Sequence, residues 1–127
     1  MGRCAPYMLF EKALPDNHVT ILRPNDIEEL DPIFLSVQLN SLIGQMQVDQ
    51  YFKGSSGQIE LYPSEIKEFR IWLAPIETQK QISQHIQSAH AARQEAQELL
   101  DRAKRAVEIA IEESELAALK YLQEFGV

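Results

Sequence analysis

Any chemistry in this chain has to come from its histidines, its one thiol or its clustered carboxylates. His85 and His90 lie five residues apart. On a helix that step puts them on different faces, whereas two imidazoles sharing a metal need a step of three or four. They read as solvated side chains, and His18 stands alone. Cys4 is the single cysteine. It has no activating neighbour in sequence and reads as a packed residue. It can form no intrachain disulfide, which fits a reducing, cytoplasmic location. Glu112, Glu113 and Glu115 read as a solvated helix face, not as an acid/base pair. The glycines, Gly2, Gly44, Gly54, Gly57 and Gly126, build neither GxGxxG nor GxxxxGK[ST], so no phosphate-cradling loop exists. No catalytic residue, cofactor or metal is expected.

Asp31-Pro32-Ile33-Phe34 comes near the Asp/Asn-Pro-Pro-Phe/Tyr tetrad with which amino-methyltransferases hold an amine. The second proline is missing, no cofactor turn accompanies it, and a helix start explains Asp-Pro fully. What remains is polar and unreactive. Lys53, Ser55, Ser56 and Gln58 sit in and beside GSSG, where small residues let a backbone approach phosphate. Gln45, Gln47 and Gln50 carry amides that suit adenine edges, and Arg3 and Lys12 are further candidate cations. A plain hairpin loop and a solvated strand face account for the same residues. The net charge of −7, with six basic and ten acidic side chains between residues 1 and 75, argues against strong nucleic-acid binding by this piece alone.

The elements that would position these groups read as α+β. CAPYMLF and HVTIL are apolar, extended runs separated by the turn LPDN, and predict two short strands over residues 4–23. Asp31 and Pro32 open a helix that runs through Leu42 and Ile43 and stops at Gly44. In QMQVDQYFKG, apolar and polar residues alternate, which predicts a strand with one polar face. GSSG is a loop, QIEL a short strand, Pro63-Ser64 the start of one helical turn, and FRIWL a last buried strand. From about Thr78 to Glu124 the chain reads as one helix. Its seam passes through Ile82, Ile86, Ala89, Arg93, Ala96, Leu100, Ala103, Val107, Ala110, Ser114, Ala117 and Tyr121, with steps alternating four and three, as in a coiled coil. At 1.5 Å per residue such a helix would be roughly 70 Å long. It would outreach a domain of about 75 residues, which spans roughly 25–30 Å. Its seam therefore calls for a partner helix.

From Asp31 onward the sequence resembles the specificity subunit of type I restriction-modification enzymes. The residues that carry this stand in order: DPIFLSVQLNS with its Asn40-Ser41 pair, Gly54-Ser55, Gln58, an apolar run, and Pro75-x-Glu77-x-Gln79-x-x-Ile82 opening the long helix. Upstream, GRCAP and HVTILRP are similar to segments of the same family. The resemblance implies a small partial β-sheet domain with short helices, followed by one long coiled-coil-type helix. Residues 1–75 would be part of a target-recognition domain and residues 76–127 a spacer and dimerisation helix. It implies a non-catalytic module without cofactor that binds DNA and docks methyltransferase and restriction subunits. The family carries two recognition domains and two helices, so this chain is expected to be a fragment or a minimal half-subunit. Two copies could then pair as a homodimer through Ile82, Ile86, Ala89, Ala96, Leu100, Ala103, Val107 and Ala110. A competing expectation is a structural dimerisation module, or an inactive remnant, with no DNA binding of its own. No stretch of the sequence could span a membrane.

Overall fold

The computed structural model describes residues 2–9, 11–51 and 61–124. Five helices form among them: α1 (Pro32–Asn40), α2 (Leu42–Tyr51), α3 (Pro63–Ile66), α4 (Ile76–Glu112) and α5 (Glu115–Gln123). The chain divides into two compact units, Met1–Gln84 and His85–Val127, so the first turns of α4 belong to the first unit.

The α+β expectation is overturned: no strand and no sheet form among the described residues. The run QMQVDQYFKG is the clearest case. Its described part lies in α2: positions four apart share a face at either period, and Val48 is buried on the same helical face as Gly44, just before the run. Residues 4–23 and FRIWL form no ladder either. The sequence pattern was nevertheless tracking something physical. Burial alternates residue by residue from Gly2 to Leu9, as on an extended chain with one face covered, but the backbone there pairs with side chains instead of with another strand. The single turn at Pro63 forms as expected. GSSG and the first three residues of QIEL lie outside the described residues.

The first unit is built around α1. Asp31 is its N-cap, extended at φ −69° and ψ 127°, and its carboxylate accepts from the N–H groups of Ile33 and Phe34 at 2.8 and 2.9 Å. Pro32 takes the first helical position, where no N–H is needed. The helix ends at Asn40, earlier than expected, and Ser41 turns the chain directly into α2. Gly44 is therefore no helix stop. It lies inside α2, where a Cβ would fall on the carbonyl oxygens of Gln38 and Leu39. The absent side chain lets α2 press onto the last turn of α1. Ile33, Phe34, Leu39, Val48 and Ala74 make the buried apolar centre. The Trp72 ring meets Phe34 edge-on at 6.4 Å, and Tyr51 stacks on Phe69 at 5.8 Å.

In the second unit the expected continuous helix is broken. α4 ends at Glu112, and Ser114 adopts an extended conformation (φ −171°, ψ 160°) with its hydroxyl accepting from the N–H of Ala117 as the N-cap of α5. A serine offers the backbone this local alternative to a helix, and three glutamates around it add repulsion to the continuous form. Ala106 and Ile109 on α4 and Ala118 on α5 are buried. The phenol of Tyr121 is near enough to act electrostatically on Arg105, sixteen positions earlier.

Candidate functional site

The first unit is held by side-chain amides that grip main chain. Gln38, on α1, receives the N–H of Trp72 at 2.9 Å and donates to its carbonyl at 2.8 Å. Gln47, on α2, does the same for Arg70, at 2.6 and 3.2 Å. Both polar groups of residues 70 and 72 thus face the helices, which only an extended chain allows. On the other flank, Asn40 receives the N–H of Cys4 at 3.0 Å and donates to its carbonyl at 2.5 Å. Gln45 donates to the carbonyl of Gly2 at 3.0 Å and to that of Leu39 at 2.8 Å. Positions two apart on a helix point about 200° apart. Gln38 and Asn40, and likewise Gln45 and Gln47, therefore reach to opposite sides, and the helix pair lies between two extended segments. In both segments α2 grips a residue two positions ahead of the one α1 grips. Gly2 adopts φ +73°, and a Cβ there would meet the side chain of Val48 at 2.6 Å, so the N-terminal segment lies close on α2.

A second amide fixes α4. Gln79 is 1% exposed. Its oxygen accepts from the N–H of Asp31 at 2.9 Å, and its nitrogen donates to the carbonyls of Glu29 and Ala74 at 2.9 and 2.8 Å. One turn on, the Ser83 hydroxyl donates to the Asp31 carboxylate at 2.5 Å. Gln79 and Ser83 share a helix face at a step of four. The cap that starts α1 is thereby held by the first two turns of α4.

These positions test what the residues could do. The amides of Gln45 and Gln47 are engaged with main chain on opposite sides of the helix pair. Gln50, Arg3 and Lys12 are exposed. Lys53, Ser55, Ser56 and Gln58 lie outside the described residues. On α4, Ile82 and Ile86 are half-buried and Ala110 likewise, whereas Ala89, Ala96, Leu100, Ala103 and Val107 are exposed. From residue 91 to 101 every α4 residue is exposed. Surface ion pairs line this stretch: Arg102–Glu98 at 3.5 Å, Lys104–Asp101 at 3.2 Å and Arg105–Glu108 at 2.9 Å. Hydrogen bonds from Gln97 and then Lys104 hold Asp101 below the usual carboxylate range, and the hydrogen bond to Glu108 raises Arg105. Burial pushes the Cys4 thiol up, which makes it less nucleophilic. Among the described residues no cluster of His, Cys, Asp and Glu could hold a metal ion, and no helix is long and apolar enough to cross a membrane.

Sequence reasoning missed Gln38 and the clamping role of Asn40, Gln45 and Gln47. The available signal was the repeat itself: amides spaced by two at 38 and 40, and again at 45 and 47.

No family model matches the chain, and no curated protein or solved structure shows significant similarity to it.

Proposed function

We propose that the chain is a non-catalytic specificity module of the type I restriction-modification kind, which docks on modification subunits through its long helix and brings a DNA-contacting domain with it. The observation that carries the reading is the exposed stretch of α4. A helix with no buried face over residues 91–101, yet with a row of mostly apolar and small residues through Ala89, Arg93, Ala96, Leu100, Ala103 and Val107 in alternating steps of four and three, suits a partner helix. Small side chains in that row allow close backbone approach. The Gln79–Asp31–Ser83 node supports the same reading, because it ties the base of the spacer helix to the start of α1. The DNA-contacting part rests on the resemblance and on Lys53, Ser55, Ser56, Gln58 and Arg3.

The engaged amides of Gln45 and Gln47, with the acidic balance of residues 1–75, favour a second reading in which assembly is the whole role and the chain binds no DNA of its own. Co-purification of the chain with the modification subunit of its host, with and without duplex DNA, separates the two. A stable complex whose retention on DNA falls with salt, and falls further on Lys53→Glu, is the expected result. A complex indifferent to DNA supports the second reading. No complex, with a helix-mediated dimer in light scattering, overturns docking.

A further inference from the structure

The joint between α4 and α5 is short and carries helical bonding up to both its ends. The N–H of Glu113 bonds to the carbonyl of Ile109, and that of Ala118 to the carbonyl of Ser114, both at the helical step of four. Between them Ser114 is extended, far from helical torsions. No glycine or proline stands between Pro75 and Gly126, so nothing in the covalent chain forbids a continuous helix. The bent form leaves the N–H groups of Glu115 and Leu116 without a hydrogen-bond partner among the described residues, and gives that of Ala117 to the Ser114 hydroxyl. The bend brings α5 back beside α4. A straight helix would hold Tyr121 about 24 Å from Arg105, beyond the reach of a screened charge, yet its phenol acts on that guanidinium. Ala106 and Ile109 of α4 and Ala118 of α5 are buried within the same unit.

We propose that this joint has two states: the bent form alternates with a straight form in which α4 and α5 are one helix, and the bend withholds the end of the row on which a partner helix docks. The row itself supplies the reason. Its alternating steps of four and three run through the joint without a slip, from Val107 to Ala110, Ser114, Ala117 and Tyr121. A permanent break has no need to keep that register. In the bent form the row is divided. Its positions from Ala89 to Val107 are exposed, whereas Ala110, Ala117 and Tyr121 are half-buried and the Ser114 hydroxyl is spent on a cap. The exposed part is about 27 Å long, and the straightened row from Ala89 to Tyr121 would reach about 48 Å. The two forms are closely balanced. Bending buries Ala106, Ile109 and Ala118, eases the crowding of Glu112, Glu113 and Glu115, and gains one cap. Straightening gives three main-chain N–H groups their helical partners. A partner helix laid along the row touches the straight form over the greater length and draws the chain into it. That last consequence rests on the docking reading; the joint itself does not.

The distance between two spin labels on the full chain tests it. Gln94 and Lys120 are exposed and take no part in the joint. Gln94→Cys and Lys120→Cys, with Cys4→Ser, put one label on each helix. With α5 lying back on α4 at about 8–10 Å the labelled positions stand roughly 20–25 Å apart, and on a straight helix about 39 Å apart. The parent chain is expected to show the short distance as its major population. Ser114→Ala removes the cap and supplies the best helix former, which shifts the bent-to-straight ratio by about tenfold or more. The long distance should then be the major population, and the amides of Glu115 and Leu116 should exchange at least about tenfold more slowly than in the parent. Glu115→Pro is the opposite control. Proline suits the first position of α5 and keeps Ser114 extended, but it breaks a straight helix, so only the short distance should remain. A short distance in Ser114→Ala overturns the proposal, because α5 is then fixed by its packing. A long distance in Glu115→Pro or in the parent chain overturns it too, because the bend is then not the resting form. Failure of the chain to bind a modification subunit would sink the docking reading and leave these distances unaffected.

Discussion

At the residue scale, Gln79 carries more of the fold than any other polar side chain. It satisfies three main-chain groups from two parts of the sequence, Glu29 to Asp31 and Ala74, and it is fully enclosed. Gln79→Leu keeps the volume and removes every partner. An unsatisfied buried group costs about 1–3 kcal/mol, so the variant should lose about 3 kcal/mol or more in urea unfolding, and a loss under about 1 kcal/mol would show that water replaces the amide. Cys4 makes a second prediction. Partial burial raises the thiol's pKa above the ordinary value. The folded pKa is raised, so the stability linked to this group is present below the unfolded thiol's pKa and is lost as pH rises through the folded one. Alkylation of the folded chain should therefore show a higher pH midpoint than alkylation in urea. Equal midpoints would mean that the Asn40 clamp is open in solution. Cys4 already read as a packed residue, but the role of Gln79 was not legible beforehand. Gln79 stood out only as part of a spaced motif, and nothing in a linear sequence says that an amide will bond to residues about fifty positions away.

The element scale explains most of what sequence reasoning read correctly and what it did not. The start of α1 was legible because Asp31 and Pro32 are local signals that need no tertiary context. So was the start of α4, after Pro75 and within two residues of Thr78. The end of α1, the helical state of α2 and the break at Ser114 were not. Each depends on packing that only the folded chain reveals. Gly44 is the instructive case, since the same residue that reads as a helix stop is required inside a helix by a close crossing. Gly44→Ala tests this. At an open helical site the change would stabilise by about 1 kcal/mol. Here the methyl group meets main-chain carbonyls, and overpacking of that kind costs about 1–3 kcal/mol, with less room to relax because backbone is involved. A net loss of about 2 kcal/mol is expected in denaturant unfolding, and a gain would disprove the close approach.

For the molecule as a whole, the two units differ in what holds them. The first has an enclosed apolar centre and a frame of amide clamps, whereas much of α4 in the second has no buried face. Leu100 and Val107 are 51% and 60% exposed within one chain. Leu100→Asp with Val107→Asp should therefore leave the helical signal of the isolated chain nearly unchanged, since exposed substitutions shift stability by about 0.5 kcal/mol or less. In an assembly built on that row the same carboxylates would be buried without partners. The expected outcome is a molar mass that falls from dimer to monomer with helicity retained. An unchanged mass would place the assembly surface elsewhere. That Leu100 and Val107 lie on one row of the helix was legible from the spacing alone. The particular face was less so, because helix spacing does not reveal which residues α5 covers.

The clamp at Asn40 has a chemical consequence of its own. Asn40 is followed by Ser41, a small residue that leaves the amide open to attack by the next main-chain nitrogen once local order loosens. Loss of ammonia to a cyclic imide, followed by its hydrolysis by water, would turn the group that donates to the carbonyls of Cys4 and Ser36 into a carboxylate facing those same oxygens. Attraction becomes repulsion through the exchange of one nitrogen for one oxygen. Ageing of the protein would then begin at the N-terminal flank, with a mass gain of about one dalton and release of the segment around Cys4. The bonds that keep Asn40 in place in the fresh protein also protect it from that reaction, so the strap guards its own buckle for as long as it stays fastened.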